Sequence, residues 1–430
     1  MGVGPARNTG ERGRGAHLGV VAVPWRIRMR LPWIVKQSLG RSASLALLSI
    51  CTVVNVDMSS NTVMRRGSDS DGWVPGLEIS VENSKERVNG PLEIIPVHEK
   101  EHGTVDTAVT RVLLKLSPRF RNRQVSVNEM VHALRLTGIG SEPLCSQCLS
   151  GSEMLRLLTN NVEFWKRWPD AEGPLILSGP RGLAVRTGNG GTRIAHKDQM
   201  LAALAEVGAP LSLTIQHSRG RGDLNEVLEY SLEMFNLNQR ELEWSAVAFA
   251  LYLPPQDSWR GVRGEMVTFD DVAKRLMRFP PTFGACMGQH RLYALVVLLR
   301  VDEQMRILAP DTRVGILELL SGISGVLAST QNPKGFWQGN WVEDSSPTEE
   351  EVDALEVRLR VTTHVLEWWA LAPAKVLPEP EVVERAVKWV VSVVEELDEA
   401  QVHEHYTTLS HAGRALKLWR GEIPSSFGPP

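Results

Sequence analysis

The sequence predicts an all-α domain from about residue 104 to 430, an (α/α)6 toroid of six helical hairpins with an irregular N-terminal extension. Three observations predict it. Several runs are apolar on nearly every side, each follows an amphipathic run, and the pairs recur at a regular step. A helix apolar all round is buried all round, whereas an amphipathic one lies at the surface.

The apolar runs are Glu241–Leu253, which stops at Pro254-Pro255, Gln289–Val301, Arg360–Ala372, which stops at Pro373, and Ser410–Trp419. Their amphipathic partners are Asp223–Asn236, Phe269–Met277, Thr312–Thr330 and Glu381–Leu397. Asn128–Leu136 and Gln199–Glu206 complete a set of six inner helices. A polar residue recurs at or near the first turn of the inner helices: His132, His196, Glu243, His290, His364 and His411. The steps His196 to Glu243, Glu243 to His290 and His364 to His411 are each 47 residues. A period of this size marks stacked helical hairpins. The two longer steps are explained by inserted loops at Pro169–Gly191 and Asn332–Asp353. Leu-Glu-Trp occurs twice, at Leu242–Trp244 and Leu366–Trp368. Strand signals are few, with one small hairpin expected from Leu175–Leu177 and Ala184–Arg186. An open helical solenoid is the competing architecture; the absence of a polar cap after Trp419 favours the ring.

Two regions precede the domain. Residues 1–56 are a basic leader ending in the apolar run 43–56, which reads as an export signal, a membrane attachment or, with Met29 as the true start, a mis-assigned beginning. Exported, membrane-attached and cytoplasmic locations all stay open. Residues 57–103 read as a polar linker that touches the domain around Leu92–Val97. The formal charge of −3 and the lack of a basic, aromatic-interleaved stripe argue against a general nucleic-acid binder. The 13 tryptophans sit mostly in apolar helical runs and read as packing residues.

Parallel inner helices would open their N-termini on one face, and those termini favour an anionic ligand. The polar residues that converge there are Glu243, Glu367, His196, Asp198, His290, His364, His411 and Cys286. Glu243 and Glu367 suit acid–base work on a glycosidic bond. A histidine beside a carboxylate suits proton abstraction. Cys286, His290 and His364 are a zinc-ligand set, provided the helix starts early enough to put Cys286 and His290 on one face. Each of these residues also has a purely structural reading. A buried His is commonly a hydrogen-bonding element. The Glu of Leu-Glu-Trp has Arg291, Arg358, Arg360 and Arg414 as available partners.

Cys145 and Cys148 form one CxxC without the second that a zinc ribbon needs and without the βαβ pattern around a redox CxxC, so they read first as two ordinary thiols in a short loop, with a redox or metal role as the lesser alternative. The expectation is a central polar cavity that takes a small molecule or oligosaccharide, working on an isoprenoid or carbohydrate by His/Glu acid–base chemistry. Two alternatives stay open: a non-catalytic toroid that binds or scaffolds, and an open helical-repeat interaction protein.

At Gln331–Trp337 the chain reads QNPKGFW, the Q-x-x-x-G-x-W core of the QW motif, with Gly322 and Leu327 at the small and aliphatic positions upstream. In this the chain resembles the terpenoid cyclase and protein prenyltransferase toroid superfamily, squalene-hopene cyclases included, over roughly residues 104–430. The resemblance implies a structural role for Gln331, Gly335 and Trp337, with the Gln capping a helix end and tying neighbouring hairpins together. Val326 departs from the motif's usual aromatic, and no DxDD is present to supply the protonating acid of squalene-hopene cyclases. Gly284 stands where the prenyltransferase zinc site has an Asp, so Cys286 and His364 match that site in part.

Overall fold

The computed structural model describes residues 89–96, 105–343 and 354–427. The leader, the apolar run 43–56 and most of the 57–103 linker lie outside the described residues. The described chain is mainly helical: α1 (Val105–Lys115), α2 (Val127–Thr137), α3 (Gly151–Thr159), α4 (Asn161–Arg167), α5 (Gln199–Glu206), α6 (Leu224–Glu233), α7 (Glu243–Tyr252), α8 (Phe269–Met277), α9 (Gln289–Met305), α10 (Pro310–Thr330), α11 (Leu355–Leu371), α12 (Pro380–Glu396), α13 (Glu399–Glu404) and α14 (Tyr406–Trp419).

Several surface helices start where side chains satisfy the orphan N–H groups of a first turn. Thr268 and Asp271 form a capping box at α8, as Asp398 and Gln401 do at α13. Pro310 and Pro380 open α10 and α12, where a missing N–H costs nothing. The apolar stripe of α12, through Val383, Ala386, Val390 and Val394, faces inward. In α5 and α7 every residue is buried. The buried helices pack in succession: α2 on α5, α5 on α7, α7 on α9, α9 on α11, α11 on α14, and α14 back on α2.

Two of these helices begin earlier than the sequence suggested. The polar stretch before Arg360 is already helical from Leu355, braced by an i,i+4 ion pair of Glu356 with Arg360. Helix α14 starts at Tyr406, whose ring packs edge-on against Phe120. His364 and His411 therefore sit in the body of their helices, not in the first turn.

Three antiparallel hairpins decorate the connections: β1 (Ile176–Gly179) with β2 (Gly182–Val185), β3 (Thr214–His217) with β4 (Gly220–Asp223), and β5 (Ser258–Arg260) with β6 (Met266–Thr268). The first is the one expected from the sequence, shifted slightly. The other two have polar or very short strands, and each runs straight into a capped helix, at Asp223 and Thr268.

Gln331 ends α10 and reaches α12. Its amide donates to the Val382 carbonyl at 2.8 Å, and its oxygen accepts from Arg385. The buried Trp337 indole donates to the Leu327 carbonyl at 2.8 Å. Gly335 has φ +104°, and a Cβ there would run into the Arg385 carbonyl. At the carboxyl ends of α5, α7 and α11, residues 91–94 and 423–425 close over Ala205, Leu251 and Leu371. Leu92 N–H donates to the Leu251 carbonyl, and Gln304 and Arg300 of α9 donate to the carbonyls of Glu93 and Ile95. Part of the expected linker is thus a strap on the domain.

Candidate functional site

A network of buried charges lies inside the apolar core. Arg135 of α2 contacts Glu367 of α11 at 2.6 Å and Glu206 of α5 at 2.5 Å. Arg414 of α14 contacts the same two carboxylates at 2.6 and 3.0 Å, and donates to the Tyr293 hydroxyl of α9 at 2.9 Å. Tyr293 in turn donates to Glu206. Burial alone would raise both carboxyls; the guanidiniums outweigh it, so Glu206 lies below and Glu367 well below the ordinary value. Where the sequence suggested a central polar cavity, this part of the interior is filled by arginines and glutamates that satisfy one another.

The histidines stack beside this network. His411 Nδ1–H donates to Glu367 at 2.7 Å. The centroids of the His411 and His364 rings lie 3.8 Å apart. His364 Nδ1–H donates to the Arg360 carbonyl at 2.7 Å, which leaves a lone pair on its Nε2, 3.1 Å from His290 Nε2. His290 also lies edge-on to His196 and Trp244. His132 packs edge-on to His411, and its Nε2 is 3.4 Å from Gln199 Nε2. Burial first, and then the neighbouring histidines, pushes His290 and His364 well below their ordinary value. They are neutral imidazoles at pH 7.

Cys286 completes a group with His290 and His364 whose donor atoms all lie within 4.8 Å of one another. It is not on the same α-helix. It belongs to a turn, Ala285–Gly288, in which Cys286 (φ 50°) and Met287 (φ 52°) are both left-handed. Non-glycine residues rarely accept that conformation, and it persists only where the surroundings hold it. Here the Trp341 indole donates to the Met287 carbonyl at 3.0 Å, and the flanking Gly284 and Gly288 also have positive φ. Burial pushes the thiol up to about 12. His364, Glu367 and His411 form a second such group, but the arginines already engage that carboxylate.

Glu243 is the first residue of α7. Its Oε2 accepts from the Leu242 N–H, and Gly284 lies near its other oxygen. Burial raises its pKa, so it holds a proton more tightly than a surface Glu. The half-buried His196 donates Nδ1–H to Glu241 at 2.9 Å. Asp198 precedes α5 without capping it. It accepts from Ser231 at 2.9 Å and from Ser245, tying the start of α5 to α6 and α7.

The structure therefore brings Cys286, His290, His364, Glu243 and His196 toward one region. It sets Glu367 and His411 into the ion-pair network and gives Asp198 a tying role. With His290, His364 and His411 each at most 5% exposed, the region is narrow. Of the arginines available to Glu367 in the sequence, Arg414 is the one that reaches it. Arg135, Glu206, Tyr293 and Glu241 did not figure in the sequence reading. A charged residue inside an otherwise apolar run was the available signal for two of them, Arg135 in ALRL and Glu206 in AALAEV. No protein-family model, curated protein or solved structure matches the chain.

Proposed function

We propose that this chain is an enzyme on an (α/α)6 toroid, working beside the amino-terminal ends of α7 and α9 with zinc held by Cys286 of the preceding turn, His290 of α9 and His364 in the body of α11. The return of α14 onto α2 supports a closed ring over an open solenoid. The tie from Gln331 to α12 is the kind of link that the QW motif makes between hairpins, and supports the terpenoid cyclase and prenyltransferase resemblance.

One observation carries the site: two imidazole nitrogens 3.1 Å apart with a thiol beside them. Around a tetrahedral zinc, S and N donors lie about 3.3–3.7 Å from one another. To reach that spacing the two hydrogen-bonded nitrogens would part slightly, His290 would shift its proton from Nε2 to Nδ1, and the thiol, within 4.8 Å, would close in. The donor chemistry fits. Both imidazoles are neutral, His364 is oriented by the carbonyl behind it, and three protein ligands leave a fourth position open, as in catalytic sites. Bound zinc would supply Lewis acidity and hold Cys286 as its thiolate. Glu243, raised by burial, stands beside this region as the candidate proton donor, and His196, oriented by Glu241, as the candidate acceptor. With Glu367 locked between arginines, a Glu243/Glu367 pair for glycoside chemistry loses its second member. Of the two substrate classes an isoprenoid is therefore favoured over a carbohydrate.

A second reading, a non-catalytic binding or scaffold module, is favoured by the internal pairing of Glu367, His411 and Asp198. Metal analysis of untagged protein separates the two. About one zinc per chain, lost in Cys286→Ser and His364→Gln, supports the enzyme. Absence of metal after zinc loading leaves the scaffold.

A further inference from the structure

Cys145 and Cys148, which read first as ordinary thiols in the sequence, are joined by a disulfide. We propose that this disulfide is a thiol–disulfide exchange site, reduced by an external dithiol and re-formed by an external disulfide, which is itself reduced to two thiols, while the domain stays folded.

The bond has little structural work to do. It closes a loop between residues three apart, and cross-links over such short loops restrict the unfolded chain least. The loop is also held without it. Arg121 donates through Nε to the Ser146 carbonyl and through a terminal nitrogen to the Cys148 carbonyl, both at 3.1 Å, and its backbone N–H donates to the Gln147 carbonyl at 3.0 Å. Asn122 donates to the Gln147 side chain at 2.7 Å, and Leu149 N–H to the Pro118 carbonyl at 3.1 Å. Arg121 is itself clamped by both oxygens of Glu153. None of these contacts is made by a sulfur, so reduction removes none of their donors or acceptors.

The two sulfurs are unlike. Cys145 is half-buried, between the exposed Leu144 and Ser146, and so open to an incoming thiolate. Cys148 is 1% exposed and lines a water-sized cavity of about 20 Å³ together with Lys417. Burial lowers that lysine to about 8. Its ammonium lies 4.0 Å from Glu422 and over the Phe427 ring while lining the cavity that holds Cys148, and Cys148 lies just before the amino terminus of α3, so positive potential from both favours a thiolate leaving there.

The exchange balances. One thiolate of an external dithiol attacks the Cys145 sulfur. The Cys145–Cys148 bond breaks, and Cys148 leaves as a thiolate that takes up a proton. The second thiolate of the dithiol then attacks the mixed disulfide, releasing Cys145 as a thiolate, which is protonated in turn. The protein gains two electrons and two protons, and the dithiol becomes its own disulfide.

The test is differential alkylation of the full chain, mapped on the peptide holding residues 145–148, after incubation with millimolar dithiothreitol without denaturant. The proposal expects reduction of this peptide in the folded protein, re-formation with oxidised glutathione, and a melting temperature within about 3 °C between the two forms. Cys145→Ser should melt within the same margin. A disulfide that resists reduction until the protein unfolds overturns the proposal. So does a larger drop in melting temperature on reduction, or a pair that stays as free thiols in oxidised glutathione.

Discussion

Arg135 and Glu367 meet at 2.6 Å in the interior although their helices are separated in the packing order by α14. Both side chains are nearly inaccessible, and each also serves a second partner, Glu206 for the arginine and Arg414 for the carboxylate. Removing one member leaves a buried charge unmatched. Glu367→Gln and Arg135→Met are each expected to destabilise the domain by about 3–5 kcal/mol, read by chemical denaturation. A change below about 1 kcal/mol in either variant would show that the network is not formed in solution.

Glu243 behaves differently. It is held by a backbone N–H rather than by an arginine. Because burial raises this carboxyl and the Leu242 N–H, not a cation, holds it, Glu243→Gln should leave stability within about 0.5 kcal/mol while removing the carboxyl as a proton donor. Unfolding midpoints of the two proteins decide it, and a loss of several kcal/mol would assign Glu243 to the framework.

Zinc should act as a ligand of the folded state alone. At a free concentration about 100 times its dissociation constant it adds about 2.7 kcal/mol of stability. Metal-free protein titrated with zinc should show this as a rise in melting temperature, and Cys286→Ser should lose most of it. Equal responses in the two proteins would place the ion elsewhere.

In metal-free protein, burial keeps His132, His290, His364 and His411 neutral, the first three well below their ordinary value. In the unfolded chain all four take up protons as pH falls through about 6.5. The unfolded state then binds more protons, so this contribution is full above that pH and is lost below it until the folded-state values are reached. Each such proton adds up to about 1.4 kcal/mol per pH unit to the slope. Denaturation midpoints measured from pH 7 to 5 give the slope, and His132→Gln should reduce it by up to one proton's worth. Flat stability across that range would contradict the buried, neutral state of these imidazoles.

Gly335→Ala should cost more than about 1 kcal/mol, since its left-handed backbone and the Arg385 carbonyl both oppose a Cβ. A thermal melt equal to that of the unaltered protein would mean that the loop can move away from α12.

The buried helices were legible because all-round burial leaves a simple mark, an apolar run ended by proline, as at Pro254 and Pro373. The surface helix Phe269–Met277 was read to the residue because its capping box and stripe are local. His364 and His411 were placed too early in their helices, because a polar start such as Leu355–Arg360 carries no apolar run to mark it. The site was legible as a set of residue types, and its division was not. Whether Glu367 faces a ligand or two arginines depends on α2 and α14, elements far from it in sequence, and no local pattern encodes that meeting.

The strap formed by residues 91–94 and 423–425 lies at the carboxyl ends of α5, α7 and α11, whereas Glu243 and His290 stand at the opposite ends of their helices. The last described residues therefore leave the domain on the side away from these two groups. Protein tethered to a sensor surface at Ser425 would keep the histidine side facing the flowing solution, the orientation that ligand screening needs.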